Sequence, residues 1–316
     1  MKVHFDIQQL PAFRNAIITI GTFDGLHNGH RKIIELMQSE AQSVNGETVI
    51  ITFDPHPRQI VAKEKSPVYL INTLSEKIEL LQKLQIDHLV VVPFTEAFAN
   101  QSAESYITNF LVNTFHPHTI IIGYDHRFGK NRSGDYKLME AKAPEYNYLV
   151  KEIPGHMLHD ITVSSTKIRE AILEGNIETA RDFLGYDYFF SGTVVAGNKL
   201  GRTIGYPTAN LQISDDNKLI PGNGVYAVLI KNENPIAIGL NIKNLGGMMN
   251  IGIRPTVDGS NRVIEVNIFN FDHDIYGEAL TITLIKHLRS EVKFNGLNAL
   301  KEQLAKDKTS AIEALS

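Results

Sequence analysis

The sequence predicts a chain of class α/β + β: an α/β domain, then a small antiparallel β-barrel, then one closing helix. Three observations carry this. Short apolar, β-branched runs alternate with helical patterns through the first half of the 316 residues. After about residue 186 the helical patterns stop, and strand-like runs follow one another, separated by Gly, Pro and Asn. A single helical pattern, with Leu297, Leu300 and Leu304 on one face, ends the chain.

In the first half, strands are expected at residues 16–20, 48–53, 88–92, 119–122 and 148–153. Between them Leu74, Ile78, Leu81 and Leu84 recur at helical spacing over 74–84. Two more helices close this half, one from about Ser165 to Gly175 and one from about Ile177 to Gly185. Short apolar strands separated by helices build a parallel sheet covered on both faces, and such sheets bind ligands beyond the carboxyl ends of their strands. In the second half, runs at 192–195, 225–230, 236–242, 263–269 and 280–286 have no helices between them, which is the pattern of a barrel. The change of pattern gives domains of 1–185 and 186–316.

Composition narrows the class of protein. Hydrophobic residues make up 43% and charged residues 21%, which excludes wholesale disorder. The formal net charge of −4 argues against a nonspecific nucleic-acid binder, which needs a basic face. With no cysteine there can be no disulfide, iron–sulfur cluster, thiol nucleophile or Cys-rich zinc module. The first residues lack a signal-peptide apolar region and no apolar run approaches the length of a membrane span, so the expected address is the cytoplasm, with no membrane partner.

The first strand breaks at Gly21 into Thr22-Phe23-Asp24-Gly25-Leu26-His27-Asn28-Gly29-His30, and a helix with Ile33, Ile34, Met37 and Ala41 on one face follows at once. A helix start offers orphan N–H groups and the positive end of the dipole, so anions settle there. Glycines let backbone approach a ligand closely, and His27 and His30, three apart, project to the same side. A His-x-x-His pair also suits half of a zinc site, though such a site would need further ligands. After the second strand comes Asp54-Pro55-His56-Pro57, a rigid extended strand end. The fourth leads into Gly123-Tyr124-Asp125-His126-Arg127-Phe128-Gly129-Lys130-Asn131-Arg132-Ser133-Gly134. Its glycines, cations and aromatics suit either a heterocycle bearing phosphate or a solvated basic loop, and no Walker A pattern is present. Ser164-Ser165-Thr166-Lys167-Ile168-Arg169 opens another helix. Its hydroxyls serve as caps, but cations at a helix start oppose the dipole unless an anion offsets them.

In the second half, Gly197-Asn198-Lys199-Leu200-Gly201-Arg202-Thr203-Ile204-Gly205-Tyr206-Pro207-Thr208-Ala209-Asn210 places glycines at every fourth position, followed by neutral oxygens of the kind Mg²⁺ accepts. A tight barrel loop explains the same glycines. Alternation puts Ile264, Val266 and Ile268 on one face of a strand and Glu265 with Asn267 on the other. Glu265 is either a solvent-facing charge or a base pointing into a ligand cavity.

Taken together, these motifs resemble the bifunctional riboflavin kinase/FAD synthetase family of bacteria nearly end to end. The first half has GTFDGLHNGH, DPHP, GYDHRFGKNRSGD and SSTKIR in the family's order. The second has GRTIGYPTAN, GVYA, NIGIRPT, the Glu265 strand, and Leu288-Arg289-Ser290-Glu291-Val292-Lys293-Phe294. His126 and Tyr206 stand where the family usually has phenylalanine. The resemblance implies a Rossmann-like nucleotidyltransferase domain followed by a six-stranded antiparallel barrel with a C-terminal helix. It implies phosphorylation of riboflavin to FMN with MgATP, then adenylylation of FMN by a second ATP to give FAD and pyrophosphate. It assigns His27, His30, Arg169 and Glu265 to catalysis. It assigns Gly21, Thr22, Phe23, Gly29, Asp125, Ser164, Ser165, Thr166, Gly201 and Arg202 to ATP, and Asp54, His56, Arg127, Arg254 and Arg289 to the flavin. Thr208 and Asn210 are its Mg²⁺ ligands. The expected partners are the small molecules riboflavin, FMN and ATP; the sequence does not fix the oligomeric state. An adenylyltransferase with an inactive kinase half, or a non-catalytic flavin-binding sensor, remain as alternatives.

Overall fold

The computed structural model describes residues 1–61, 67–153, 163–197, 200–232, 243–256 and 259–316, with backbone alone at 200, 254–256 and 259–261. The expected strand at 236–242 lies outside the described residues. The chain forms two compact units, Met1–Ser165 and Thr166–Ser316.

The first unit is built on six parallel strands: β1 (Lys2–His4), β2 (Ile17–Ile20), β3 (Thr48–Asp54), β4 (His88–Pro93), β5 (Thr119–Gly123) and β6 (Leu149–Ile153). Their order across the sheet is β1-β4-β3-β2-β5-β6. β2 to β5 are almost wholly buried because helices cover both faces, whereas β6 at the edge is mostly exposed. Helix α1 (Asn28–Ser43) buries Ile34, Met37 and Ala41, while α2 (Leu74–Lys83) starts at a capping box between Thr73 and Glu76. On one face of the sheet a helical stretch over residues 103–115 packs Tyr106, Phe110 and Phe115 into the core with Phe128. α3 (Tyr136–Tyr146) precedes β6. Strand order reverses between β2 and β5, and in such sheets the crevice at that switch point is where ligands bind. β2 runs into the histidine turn, and β5 into the loop at 123–134.

The second unit begins with α4 (Ser165–Leu173), whose first residue still belongs to the first, and α5 (Ile177–Leu184), which ends at left-handed Gly185. β7 (Phe189–Val195), β8 (Ala209–Gln212), β9 (Gly224–Lys231), β10 (Leu245–Thr256), β11 (Gly259–Ile268) and β12 (Ala279–Arg289) then close into an antiparallel barrel, ordered β10-β11-β8-β7-β12-β9. β1, β8 and β10 were not legible in the sequence. β1 has three residues, β8 four, and β10 contains glycines and a proline that mask its alternation. The closing helix, α6 (Leu297–Leu315), packs against Ala227 and Met248, which pair across β9 and β10. Its seam is Leu304, Ala311, Ala314 and Leu315; Leu297, expected on that face, is exposed.

Candidate active sites

His27 caps α1 with an extended backbone and makes no side-chain cap bond. The His27 ring therefore takes none of the first-turn N–H groups for itself, and a helix start is a place where an anion is favoured. The rings of His27 and His30 stack, with centroids 3.8 Å apart and planes 19° from parallel. Burial pushes His27 down to about 4, against the opposing pull of Asp24. His30 is held well below its ordinary value by burial, then by His27 and Lys77. Both imidazoles are thus neutral at pH 7. Each has a buried Nδ1 without a hydrogen-bond partner among the described residues. Phe23 is buried, its ring centroid 4.9 Å from that of His30. Gly21 continues the sheet through its N–H to the Ile51 carbonyl, and Gly29 is buried in the first turn of α1.

The turn itself needs holding. Phe23 (φ 47°) and Leu26 (φ 40°) occupy the left-handed region, as does Gly25 (φ 90°), and for the first two side-chain sterics oppose it. Three separate segments grip it. Asp24, buried, accepts from the backbone N–H of Ile71 (2.9 Å) and Asn72 (3.3 Å). Ser165 Oγ donates to the Asp24 carbonyl at 3.0 Å. Lys77 Nζ donates to the Thr22 carbonyl at 2.7 Å. Lys77 escaped the sequence reading, although it shares helical spacing with Leu80, Leu81 and Leu84. Ser164 and Thr166 are exposed at the start of α4, and Arg169 is half-buried further along it.

The other strand ends are more ordinary. Asp54 ends β3 and is exposed. His56 Nδ1 accepts the Arg58 N–H at 3.1 Å, so this ring caps the short helix Pro57–Val61. In the loop after β5, Phe128 is a core residue stacked on Tyr106 and bridged to Gly134, where a Cβ would run into the Phe128 ring. Arg127 pairs with Asp135 at 2.6 Å, and Asp135 also caps α3. Asp125 is exposed. Burial pushes His126 down to about 4, with a smaller push from Arg132 and an opposing pull from Asp125. An imidazole so held does not titrate near neutral pH.

In the barrel, Thr208 Oγ1 lies 3.5 Å from Glu265 Oε1, at the edge of hydrogen-bonding distance. Glu265 on β11 stands opposite Asn210 on β8 and Asn250 on β10. Asn267, missed as a functional residue, is buried on the same face and donates to the Pro207 carbonyl at 2.7 Å, which fixes the segment carrying Thr208. The glycines of this stretch serve close packing. A Cβ at Gly197 would overlap the Asn210 amide and one at Gly201 the Tyr206 carbonyl, and Gly205 has φ 87°. Gly201 and Arg202 lie in a short helical turn, Leu200–Thr203, and Tyr206 packs under α6. Arg289 donates from Nε and Nη2 to Asp307 at 2.8 and 2.6 Å, and from Nη1 to the Ser290 carbonyl. Asn198, Lys199 and the Arg254 side chain lie outside the described residues. Among the described residues no group of three or more His, Asp or Glu could hold a metal. Thr208, Asn210 and Glu265 are brought together on neighbouring barrel segments, each carrying a side-chain oxygen.

One unit carries paired imidazoles at a strand-to-helix turn and the other a Thr/Asn/Glu cluster on a barrel, residue sets of the kind transferases of phosphate-bearing groups use. Comparison with known proteins gives the family. The FAD synthetase family model matches residues 10–167 and the riboflavin kinase family model residues 184–315. The chain is 40% identical over 297 residues to the bifunctional riboflavin kinase/FMN adenylyltransferase of Buchnera aphidicola (strain Sg), covering 93% of this chain and 92% of that one. It is 35% identical over 308 residues to the enzyme of the same name from Escherichia coli K12, covering 98% and 95%. The chain belongs to the bifunctional riboflavin kinase/FMN adenylyltransferase family. A crystal structure titled a macrolide-efflux protein, from Streptococcus pneumoniae, matches at a TM-score of 0.83 and 27% identity over 98% of both chains. Among the described residues of the present chain, no helix is long and apolar enough to cross a membrane.

Proposed function

We propose that the chain carries riboflavin through two ATP-dependent transfers, with the barrel making FMN and the parallel-sheet unit converting FMN to FAD. In the first, the 5′-hydroxyl of riboflavin attacks the γ-phosphorus of ATP, Glu265 takes the hydroxyl proton, and ADP leaves. Thr208 and Asn210 would hold Mg²⁺, which would supply neutralisation of charge on the ATP phosphates. Asn267 keeps that pair in place through Pro207.

In the second transfer a phosphate oxygen of FMN attacks the α-phosphorus of a second ATP, and pyrophosphate leaves. No protein nucleophile is needed. His27 and His30, both neutral, act as hydrogen-bond donors towards the α-phosphate at the start of α1, where the helix dipole adds positive potential. Ser164 and Ser165 supply hydroxyls to the nucleotide. Asp54 and His56 at the end of β3, with Asp125 and Arg127 after β5, contribute to flavin and nucleotide binding.

The observation that carries this reading is that each unit holds its own cluster on its own scaffold. Paired imidazoles sit at a strand-to-helix turn in one, and a Thr/Asn/Glu set spans neighbouring barrel strands in the other. A chromatographic time course of riboflavin with MgATP tests it. FMN should rise first and FAD follow at its expense; FMN that accumulates without FAD, or riboflavin that is bound and never consumed, would refute it.

A further inference from the structure

We propose that Lys77 is a positioning residue of the adenylyl-transfer site, its buried ammonium clamping the Thr22 carbonyl so that the histidine turn keeps its shape. The proposal rests on the adenylyl-transfer reading above. Lysine is almost never fully buried unless it is paired. Lys77 is 6% exposed, yet among the described residues it forms no salt bridge. Its Nζ donates instead to the Thr22 carbonyl at 2.7 Å and to Thr52 Oγ1, near the carboxyl end of β3, at 3.3 Å. Thr52 Oγ1 in turn donates to the same carbonyl at 3.2 Å.

The bonded group explains why a charge stands there. The Thr22 carbonyl belongs to the peptide that leads into Phe23, the first of the left-handed residues of the turn. A backbone held in such a conformation persists only where its surroundings over-determine it. A charge-assisted bond at that peptide is about twice as strong as a neutral one. Freed of it, the turn can relax, and the stacked rings of His27 and His30 move with it. Among the described residues, these charged and titratable groups act on the cluster. His27 and Lys77 face His30, Asp24 faces His27, and Asp24 and Asp54 face Lys77. The ammonium also disfavours protonation of His30. A residue that merely filled the core would touch neither the peptide nor the imidazole's proton.

The test uses the full chain with Lys77→Met, which keeps the length and apolar volume of the side chain. FAD formation from supplied FMN should fall about 10²-fold in kcat, the loss expected when reacting groups are misplaced by about 1 Å. The KM for ATP should stay within a few-fold and riboflavin phosphorylation within about twofold. The acid limb of the kcat profile for FAD formation should move to higher pH, because His30 no longer faces the ammonium. Lys77→Cys, aminoethylated in denaturant and refolded, regains an ammonium at nearly the same reach, and the chain has no other cysteine to react. That protein should recover both the rate and the limb, measured against wild type taken through the same refolding. Wild-type FAD formation in the same assay tests separately the reading on which this depends. A Met variant within threefold of wild type overturns the proposal. So does a slow one with an unmoved acid limb that aminoethylation leaves slow.

Discussion

His126 offers a test of burial as the force that sets protonation in the sheet unit. Its Nε2 is buried without a partner among the described residues, and the ring is held at about 4 when folded. An opened chain returns it to about 6.5. Between those values the unfolded state binds the additional proton, so stability is full above about 6.5 and falls as pH drops towards 4. Linkage puts the penalty at about 2 kcal/mol at pH 5 and below ~0.1 kcal/mol at pH 7.5. His126→Phe keeps a ring and removes the proton site. It also removes the unpartnered nitrogen, but that gain is the same at both pH values and cancels in the comparison. Hydrogen exchange of peptides from β5 and the loop at 123–134 reads the opening locally, apart from the barrel. The variant's protection relative to wild type should be about 30-fold greater at pH 5 than at pH 7.5, since 1.4 kcal/mol is a factor of ten. Equal ratios at the two pH values would mean that burial does not hold His126 neutral, and the same argument for His27 would fall with it.

Four further outcomes are expected. His27→Ala and His30→Ala should each slow FAD formation by about 10²–10³ while FMN formation continues, as measured by supplying FMN or riboflavin separately. Glu265→Gln keeps size and an acceptor oxygen but cannot take a proton, so FMN formation should fall about 10²–10⁴-fold in kcat with both substrates still bound by calorimetry. Asp307→Ala strands the Arg289 guanidinium that it binds through two oxygens, and should destabilise the barrel by about 3 kcal/mol in a urea titration. A fragment beginning at Thr166 should fold and phosphorylate riboflavin better than one beginning at Tyr186. The shorter piece lacks α5, which buries Ile177, Ala180 and Leu184 and donates from Arg181 to the Ile285 carbonyl.

What the sequence determined by itself was pattern and chemistry. Period-two and helical repeats come directly from backbone geometry, so β2 to β5, α1, α5 and the change to a barrel were legible. Glycine and histidine at a strand-to-helix turn carry their physics in residue type and spacing, so the pairing of His27 and His30 at the start of α1 was legible. The same holds for Glu265, placed by alternation opposite Ile264, Val266 and Ile268. The short strands β1 and β8, and β10 with its glycines, did not speak, because too few residues alternate cleanly to stand out.

Only tertiary structure decided which polar groups are buried and what they hold. Lys77 reads in sequence as a charge on an amphipathic helix. It is a clamp because the Thr22 carbonyl, 55 residues away in the chain, comes within 2.7 Å. Arg289 is a cation whose protein partner no local pattern names, and the fold gives it Asp307 on the closing helix. Phe23 sits in a glycine-rich turn where no periodicity marks it for burial, and the fold buries it in a left-handed conformation. The physical reason is the same in each case. Periodicity and propensity are local, whereas the cost of desolvating a charge and the partner that offsets it are set by segments distant in sequence, which meet only when the chain is folded.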